Sequence, residues 1–231
     1  MRVKGFQGTS LLDFPGRVAS LIFFGGCNLT CSFCHNPTLV LQPEQYPDYP
    51  RQVLLDELNK RIPFIDGVVI SGGEPTLDPD CIDLIHDIKQ LGLAVKLDTN
   101  GLRPDVLETL FDRELVDYVG FDLKTAPGRY GELHSGPVDL EALGRSIGLM
   151  RDSGVDCEFR TTCVPKFVAS DDVERMGQAI NGARKWVVQQ VVPGHALDEA
   201  LQEDEAYAAD EVRRLADLGS AFVDEVMVRG V

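Results

Sequence analysis

The chain has 231 residues, of which 44% are hydrophobic, and carries 37 acidic against 22 basic side chains for a net charge of −15. That length suits one sizeable α/β domain with a real core. The acidic balance argues against nucleic-acid binding, which needs a basic face for phosphates, and against docking on anionic membranes. Asp outnumbers Glu 23 to 14 and Arg outnumbers Lys 15 to 7, an Asp-rich, Lys-poor surface of the kind that suits high salt, where self-repulsion is screened. The opening Met1-Arg2-Val3-Lys4-Gly5-Phe6-Gln7-Gly8 is not a signal peptide, and no apolar run approaches membrane length, so the expectation is a cytoplasmic protein with no membrane partner.

Apolar, β-branched runs predict strands at 18–24, 67–71, 93–98, 118–123, 156–164, 185–192 and 222–228. Amphipathic stretches between them predict helices at 51–61, 79–91, 104–112, 140–153, 171–181 and 204–218. In the second helix Ile82, Leu84, Ile85, Ile88 and Leu91 form an apolar face. Pro79 and Pro104 suit first-turn positions, and Gly92 and Gly154 suit helix stops. Strand–helix alternation implies a parallel sheet with helical crossovers. Six or seven repeats point to an α/β fold of the partial (β/α)6 TIM-type barrel kind, a single domain over 1–231, with a flavodoxin-like doubly wound sheet as the alternative. In parallel barrels the chemistry lies at the carboxyl ends of the strands, and the polar motifs of this chain directly follow its apolar strands.

The loop after the first predicted parallel strand reads Cys27-Asn28-Leu29-Thr30-Cys31-Ser32-Phe33-Cys34. Three thiolates at this spacing suit three irons of a [4Fe–4S] cluster. The next cysteine is Cys81, which leaves one iron open to a small-molecule ligand, as a catalytic zinc keeps an open position. A Cys3His zinc site with His35 is the rival reading, weakened because adjacent Cys34 and His35 rarely both reach one tetrahedral metal. A disulfide leaves one thiol over and suits a secreted chain. The second strand is followed by Ser71-Gly72-Gly73-Glu74-Pro75-Thr76, whose glycines allow close backbone approach and positive φ, and whose Glu74 suits an ammonium group. The third is followed by Asp98-Thr99-Asn100-Gly101 and the fourth by Asp122-Leu123-Lys124. Arg160 lies on the fifth, and His195 just beyond the sixth. Each of these polar groups alone reads equally well as a turn, an ion pair or a structural histidine.

Taken together, the cysteine loop closing on His35-Asn36-Pro37 and the Gly-Gly-Glu element resemble the radical S-adenosylmethionine superfamily. With Leu12-Asp13-Phe14-Pro15-Gly16 ahead of the first parallel strand, they resemble its activating enzymes of glycyl radical enzymes, over a span from Gly5 to about His195. The resemblance implies that Cys27, Cys31 and Cys34 hold a [4Fe–4S] cluster. It also implies that Phe33, Gly72, Gly73, Glu74, Asp98, Thr99, Asp122, Lys124, Arg160 and His195 surround S-adenosylmethionine, with Phe33 near the adenine and Glu74 at the methionyl amino group. Asp98 and Asp122 are further implied to hold a monovalent cation, and the loop around Asp13 to meet a protein substrate. The implied activity is reductive cleavage of S-adenosylmethionine to place a radical on a glycine of a partner enzyme. Anaerobic ribonucleoside-triphosphate reductase is the nearest type of partner, and pyruvate formate-lyase the nearest alternative. A small-molecule enzyme such as a carboxy-deazaguanine-type synthase is the other alternative. The chain has only six cysteines, too few for the ferredoxin-like insert of some activases, so a flavodoxin or ferredoxin donor is implied. Cys81, Cys157 and Cys163 read as buried inert thiols.

The charge balance yields one prediction. The melting temperature should rise between dilute buffer and molar KCl as self-repulsion is screened; a flat or falling curve would remove the high-salt reading.

Overall fold

The computed structural model describes residues 1–134 and 136–231, and its contacts divide the chain into two compact units. The first comprises Met1–Asn28, Pro37–Thr99 and Asp105–Val119; the second comprises Leu29–Asn36, Asn100–Pro104 and Gly120–Val231. Among the described residues no helix is long and apolar enough to cross a membrane.

The first unit opens with β1 (Val3–Ser10), which runs antiparallel to β2 (Ala19–Phe24). Two short helices follow the cysteine loop, α1 (Pro37–Leu41) and α2 (Arg51–Arg61). They lead into β3 (Gly67–Gly72), which lies parallel to β2 in unbroken register from Ala19↔Gly67 to Phe24↔Gly72. Helix α3 (Cys81–Gln90) then crosses to β4 (Ala94–Thr99), again parallel, and α4 (Pro104–Asp112) leads to β5 (Tyr118–Asp122), which passes from the first unit into the second. Strands β2, β3 and β4 are buried along nearly their whole length, which is why they read as continuous apolar runs rather than alternating ones. One side of this layer is a core of Phe14, Ala19, Leu21, Val69 and Ala94, packed by Phe23 and Tyr118.

The second unit continues with α5 (Leu140–Asp152), β6 (Asp156–Cys163), α6 (Ser170–Ala179) and β7 (Ala183–Gln190). It ends with α7 (Glu199–Gln202), α8 (Ala209–Gly219) and β8 (Val223–Arg229). Strands β6, β7 and β8 are mutually parallel. The only tryptophan of the chain, Trp186, is fully buried. Its Nε1 donates to Thr161 Oγ1 at 2.9 Å, and that hydroxyl donates in turn to the Leu123 carbonyl at 2.8 Å.

The predicted parallel strands and the helices α2 and α4 fall within a residue or two of their expected limits. Gly92 and Gly154 have φ of 78° and 74°, as helix stops require. Three features differ. β1 was not expected: its Gly5 and Gly8 lower strand propensity, and it is held by pairing with β2. Helix α3 begins two residues after Pro79 and buries Cys81, Leu84, Ile85 and Ile88, leaving Ile82 and Leu91 half-buried. The helix expected from residue 204 begins at Ala209, because the preceding segment is tied down elsewhere. There the Tyr207 carbonyl accepts from Gln190 Nε2 at 2.5 Å, and the Tyr207 hydroxyl donates to the Val168 carbonyl at 3.1 Å.

The Trp186 relay gives a direct test of the second unit. Thr161→Val leaves a buried indole N–H without its acceptor and should cost about 1–3 kcal/mol. Urea unfolding followed by the fluorescence of this single tryptophan reads it; an unchanged midpoint would show that the relay carries no stability.

Candidate functional site

In the first unit the site is built on the carboxyl ends of β2, β3 and β4. The backbone after β3 is pressed onto the end of β2: Gly73 N donates to the Phe24 carbonyl and Glu74 N to the Gly26 carbonyl, both at 2.8 Å. Gly72 has φ of 120°, and a Cβ there would strike the Phe24 backbone; a Cβ at Gly73 would strike the Gly26 carbonyl. The paired glycines are therefore required first for backbone-to-backbone contact, immediately ahead of Cys27. Glu74 is buried, and its Oε1 accepts from Thr76 N at 3.1 Å, Thr76 Oγ1 at 2.5 Å and Thr99 Oγ1 at 2.9 Å. Two threonines, one in the turn after β3 and one at the end of β4, thus fix the rotamer of this carboxylate. Asp98, one residue before Thr99, receives Lys96 Nζ at 2.5 Å.

Asp13 lies at the other end of the same layer. Its carboxylate accepts from Ser10 Oγ at 2.5 Å, inside a turn that buries Phe14 and displays Leu11 and Leu12. This turn precedes the start of β2, so it is separated from Cys27 by the strand's length, roughly 20 Å. It belongs to the opposite end of the layer from the cysteine loop.

The second unit gathers Cys31, Phe33, Cys34, Asp122, Lys124, Arg160 and His195. Cys34 N donates to the Cys31 carbonyl at 2.9 Å, closing one turn that carries both thiols. Phe33, between them, is buried against Phe167 with ring centroids 5.6 Å apart, and it lines a cavity of about 290 Å³ with Val164, Pro165, Pro193 and Ala196. Asp122 Oδ1 receives Arg160 Nε at 2.9 Å and Nη2 at 2.8 Å, while Oδ2 receives Lys124 Nζ at 3.3 Å. Burial raises the Asp122 carboxyl, but the Arg160 and Lys124 cations outweigh it and hold the group below the usual carboxylate range. The Lys124 backbone N–H is itself fixed by donating to the Tyr130 hydroxyl at 3.1 Å. The His35 imidazole is held below its ordinary value by burial and by the neighbouring His195 and Lys124.

None of the six cysteines forms a disulfide, so no such bond competes for the cysteine loop. Burial pushes Cys163 up to about 12 and raises Cys81 and Cys157. Cys81 and Cys163 are buried and Cys157 is half-buried, which suits the reading of all three as inert thiols. Burial also raises Cys31, but there the Lys124 ammonium acts in the opposite direction. Cys27 closes a segment of the first unit, whereas Cys31 and Cys34 belong to the second, and among the described residues no three His, Cys, Asp or Glu side chains form a ready metal set. The donor chemistry nevertheless fits an iron–sulfur cluster: three thiols outside any disulfide on one short loop, with a lysine that favours the thiolate of Cys31, the form that metal binding requires. Lys96 is the residue that sequence reasoning passed over. Its signal was a lone basic residue inside the apolar run 93–97.

Residues 21–176 match the Radical SAM superfamily. A provisionally named glycyl-radical enzyme activating enzyme of Methanocaldococcus jannaschii is 33% identical over 236 residues, covering 99% of this chain and 96% of the relative. The pyruvate formate-lyase-activating enzyme of Clostridium pasteurianum is 27% identical over 210 residues, covering 85% of this chain and 83% of its own. Among solved structures, Streptococcus suis SuiB bound to S-adenosylmethionine superposes with a TM-score of 0.67 at 16% identity, over 91% of this chain. The chain spans about half the length of SuiB (52%), and at this identity the likeness shows the fold alone. The fold class is thus the expected one, α/β with parallel strands of the partial TIM-type barrel kind. The chain belongs to the radical SAM superfamily, whose enzymes work with a [4Fe–4S] cluster and S-adenosylmethionine, and its relatives there include the activating enzymes of glycyl radical enzymes.

Proposed function

We propose that this chain activates a glycyl radical enzyme, with anaerobic ribonucleoside-triphosphate reductase as the partner. The observation that carries the reading is a loop of three thiols outside any disulfide in the same chain as a buried, threonine-locked carboxylate on a Gly-Gly-Glu turn, each directly following a parallel strand. An electron carrier has no use for that second element. In this reading Cys27, Cys31 and Cys34 hold the cluster. Once bound, the cluster supplies the electron for reductive cleavage of S-adenosylmethionine, the chemistry that ends in a glycyl radical on the partner. A flavodoxin or ferredoxin in the cytoplasm delivers that electron, since six cysteines leave no room for a second cluster of the ferredoxin kind.

The chain's own residues orient and shield. Glu74, with Gly72 and Gly73 shaping its turn, takes the cofactor's ammonium, and Thr99 holds Glu74 in place. Asp98, Asp122, Lys124 and His195 line the remaining polar part of the cofactor, and Phe33 covers the adenine. Arg160 acts on Asp122, fixing it by two contacts so that its charge and direction are set before the cofactor arrives. These are positioning roles, with no proton transfer demanded of any side chain. The anchored β3 turn matters for the same reason: a carboxylate held in one rotamer loses no freedom on binding.

The reading is tested by anoxic reconstitution with iron, sulfide, dithionite and S-adenosylmethionine. 5′-Deoxyadenosine should form, and adding the reductase should give a glycyl signal by EPR. Deoxyadenosine without a signal on the reductase, but with one on pyruvate formate-lyase, would move the partner and keep the chemistry. Glu74→Gln should weaken S-adenosylmethionine binding by calorimetry, roughly tenfold or more for a lost charge-assisted bond, while leaving cluster absorbance unchanged.

Arg160 carries a separate prediction. Because the folded pKa of Asp122 is depressed, its contribution to stability is present above the unfolded value of about 3.9 and is lost as pH falls through the lower folded value. In Arg160→Met, burial should win over the remaining lysine and raise the folded value, so acid unfolding should begin at higher pH. With Asp122 32% exposed, the neutral-pH cost should be about 1–3 kcal/mol, below that of a fully buried pair. Coincident acid-unfolding curves by circular dichroism would refute the coupling.

A further inference from the structure

The cysteine loop carries two hydroxyls, and they differ in their partners. Thr30 Oγ1 pairs with His134 Nδ1 at 3.0 Å. Ser32 Oγ is buried and makes no hydrogen bond among the described residues. Two other buried side-chain atoms share that condition, Arg61 Nε on α2 and Ser146 Oγ on α5. Of the three, Ser32 alone lies in the cysteine loop, directly after Cys31 and two residues before Cys34.

The main chain holds Ser32 in this state. Its carbonyl accepts from Asp198 N at 2.8 Å, and the turn around it is closed by Cys34 N donating to the Cys31 carbonyl at 2.9 Å. Asp198 is itself tied into the start of α7, where its carboxylate accepts from Ala200 N at 3.0 Å. Phe33, the next residue, is buried against Phe167. Swinging residue 32 outward to hydrate the hydroxyl would break the Asp198 bond or unseat Phe33. A buried hydroxyl without a partner is costly, and native chains rarely keep one. Alanine would fill the same turn position without that cost, so stability does not explain the serine.

The chemistry of the loop names an acceptor. The thiolates and inorganic sulfides of a [4Fe–4S] cluster accept hydrogen bonds, and such bonds are one of the levers that set its potential. Reduction adds negative charge to the cluster, so a fixed donor stabilises the reduced state more than the oxidised one. We propose that the Ser32 hydroxyl donates a hydrogen bond to a sulfur of the cluster held by Cys27, Cys31 and Cys34, and so raises its potential. The hydroxyl keeps its proton throughout, and the electron comes from the external flavodoxin or ferredoxin. The inference rests on the proposed ligand role of the three cysteines.

The test uses the full chain reconstituted anoxically with iron and sulfide. In a mediated redox titration, Ser32→Ala should show a reduced-to-oxidised ratio about threefold to tenfold below the wild type at the same poise, tenfold being about 59 mV for one electron. Ser32→Thr keeps the hydroxyl and should stay with the wild type. ENDOR spectra of the reduced cluster in H2O and D2O should show an exchangeable proton coupling in the wild type that is missing in Ser32→Ala. Both measurements read loaded chains only, and Ser32→Gly takes the place of the alanine variant if that does not load. Without cluster, Ser32→Ala should melt no lower than the wild type, because no bond within the chain is lost. An alanine variant with the wild-type potential or an unchanged exchangeable coupling overturns the proposal. So does a threonine variant that falls with alanine, or a cluster-free alanine variant that melts lower. A wild-type chain that takes up no cluster would instead sink the ligand assignment of the three cysteines, and this inference with it.

Discussion

The contact on which the site depends is between two stretches of main chain. The turn after β3 lies against the end of β2 so closely that neither Gly72 nor Gly73 has room for a Cβ, and two backbone hydrogen bonds of 2.8 Å hold it there. This sets where Glu74 begins and where the cysteine loop departs, since Gly26 takes part in both. The parallel register of β2 and β3, which ends at Phe24↔Gly72, delivers the two strand ends level with one another. A one-residue slip would turn every side chain to the other face and separate the carboxylate from the loop it accompanies.

The motifs legible in the sequence are those whose chemistry is local. Three cysteines in eight residues announce themselves by spacing alone, the Gly-Gly-Glu and Asp-Leu-Lys elements become legible only in their company, and buried parallel strands announce themselves by uninterrupted apolar runs. What escaped depends on distant partners. β1 has weak strand propensity and is held by pairing with β2. Residues 204–208 read as the start of a helix until Gln190 and Val168 capture Tyr207. The glycine pair was legible as a pair, but its reason was not, because the obstructing atoms belong to residues nearly fifty positions earlier. Asp13, prominent within its motif, answers to Ser10 at the far end of the strand.

The electrostatics of the site run against those of the whole chain. The molecule carries −15, yet Asp98 is paired with Lys96, and Asp122 with Lys124 and Arg160. Net charge governs solubility and long-range encounter, whereas cofactor seating depends on charges a few ångströms away in a low-dielectric setting. The two can be set independently: surface Asp can accumulate while carboxylates at the strand ends keep cationic partners.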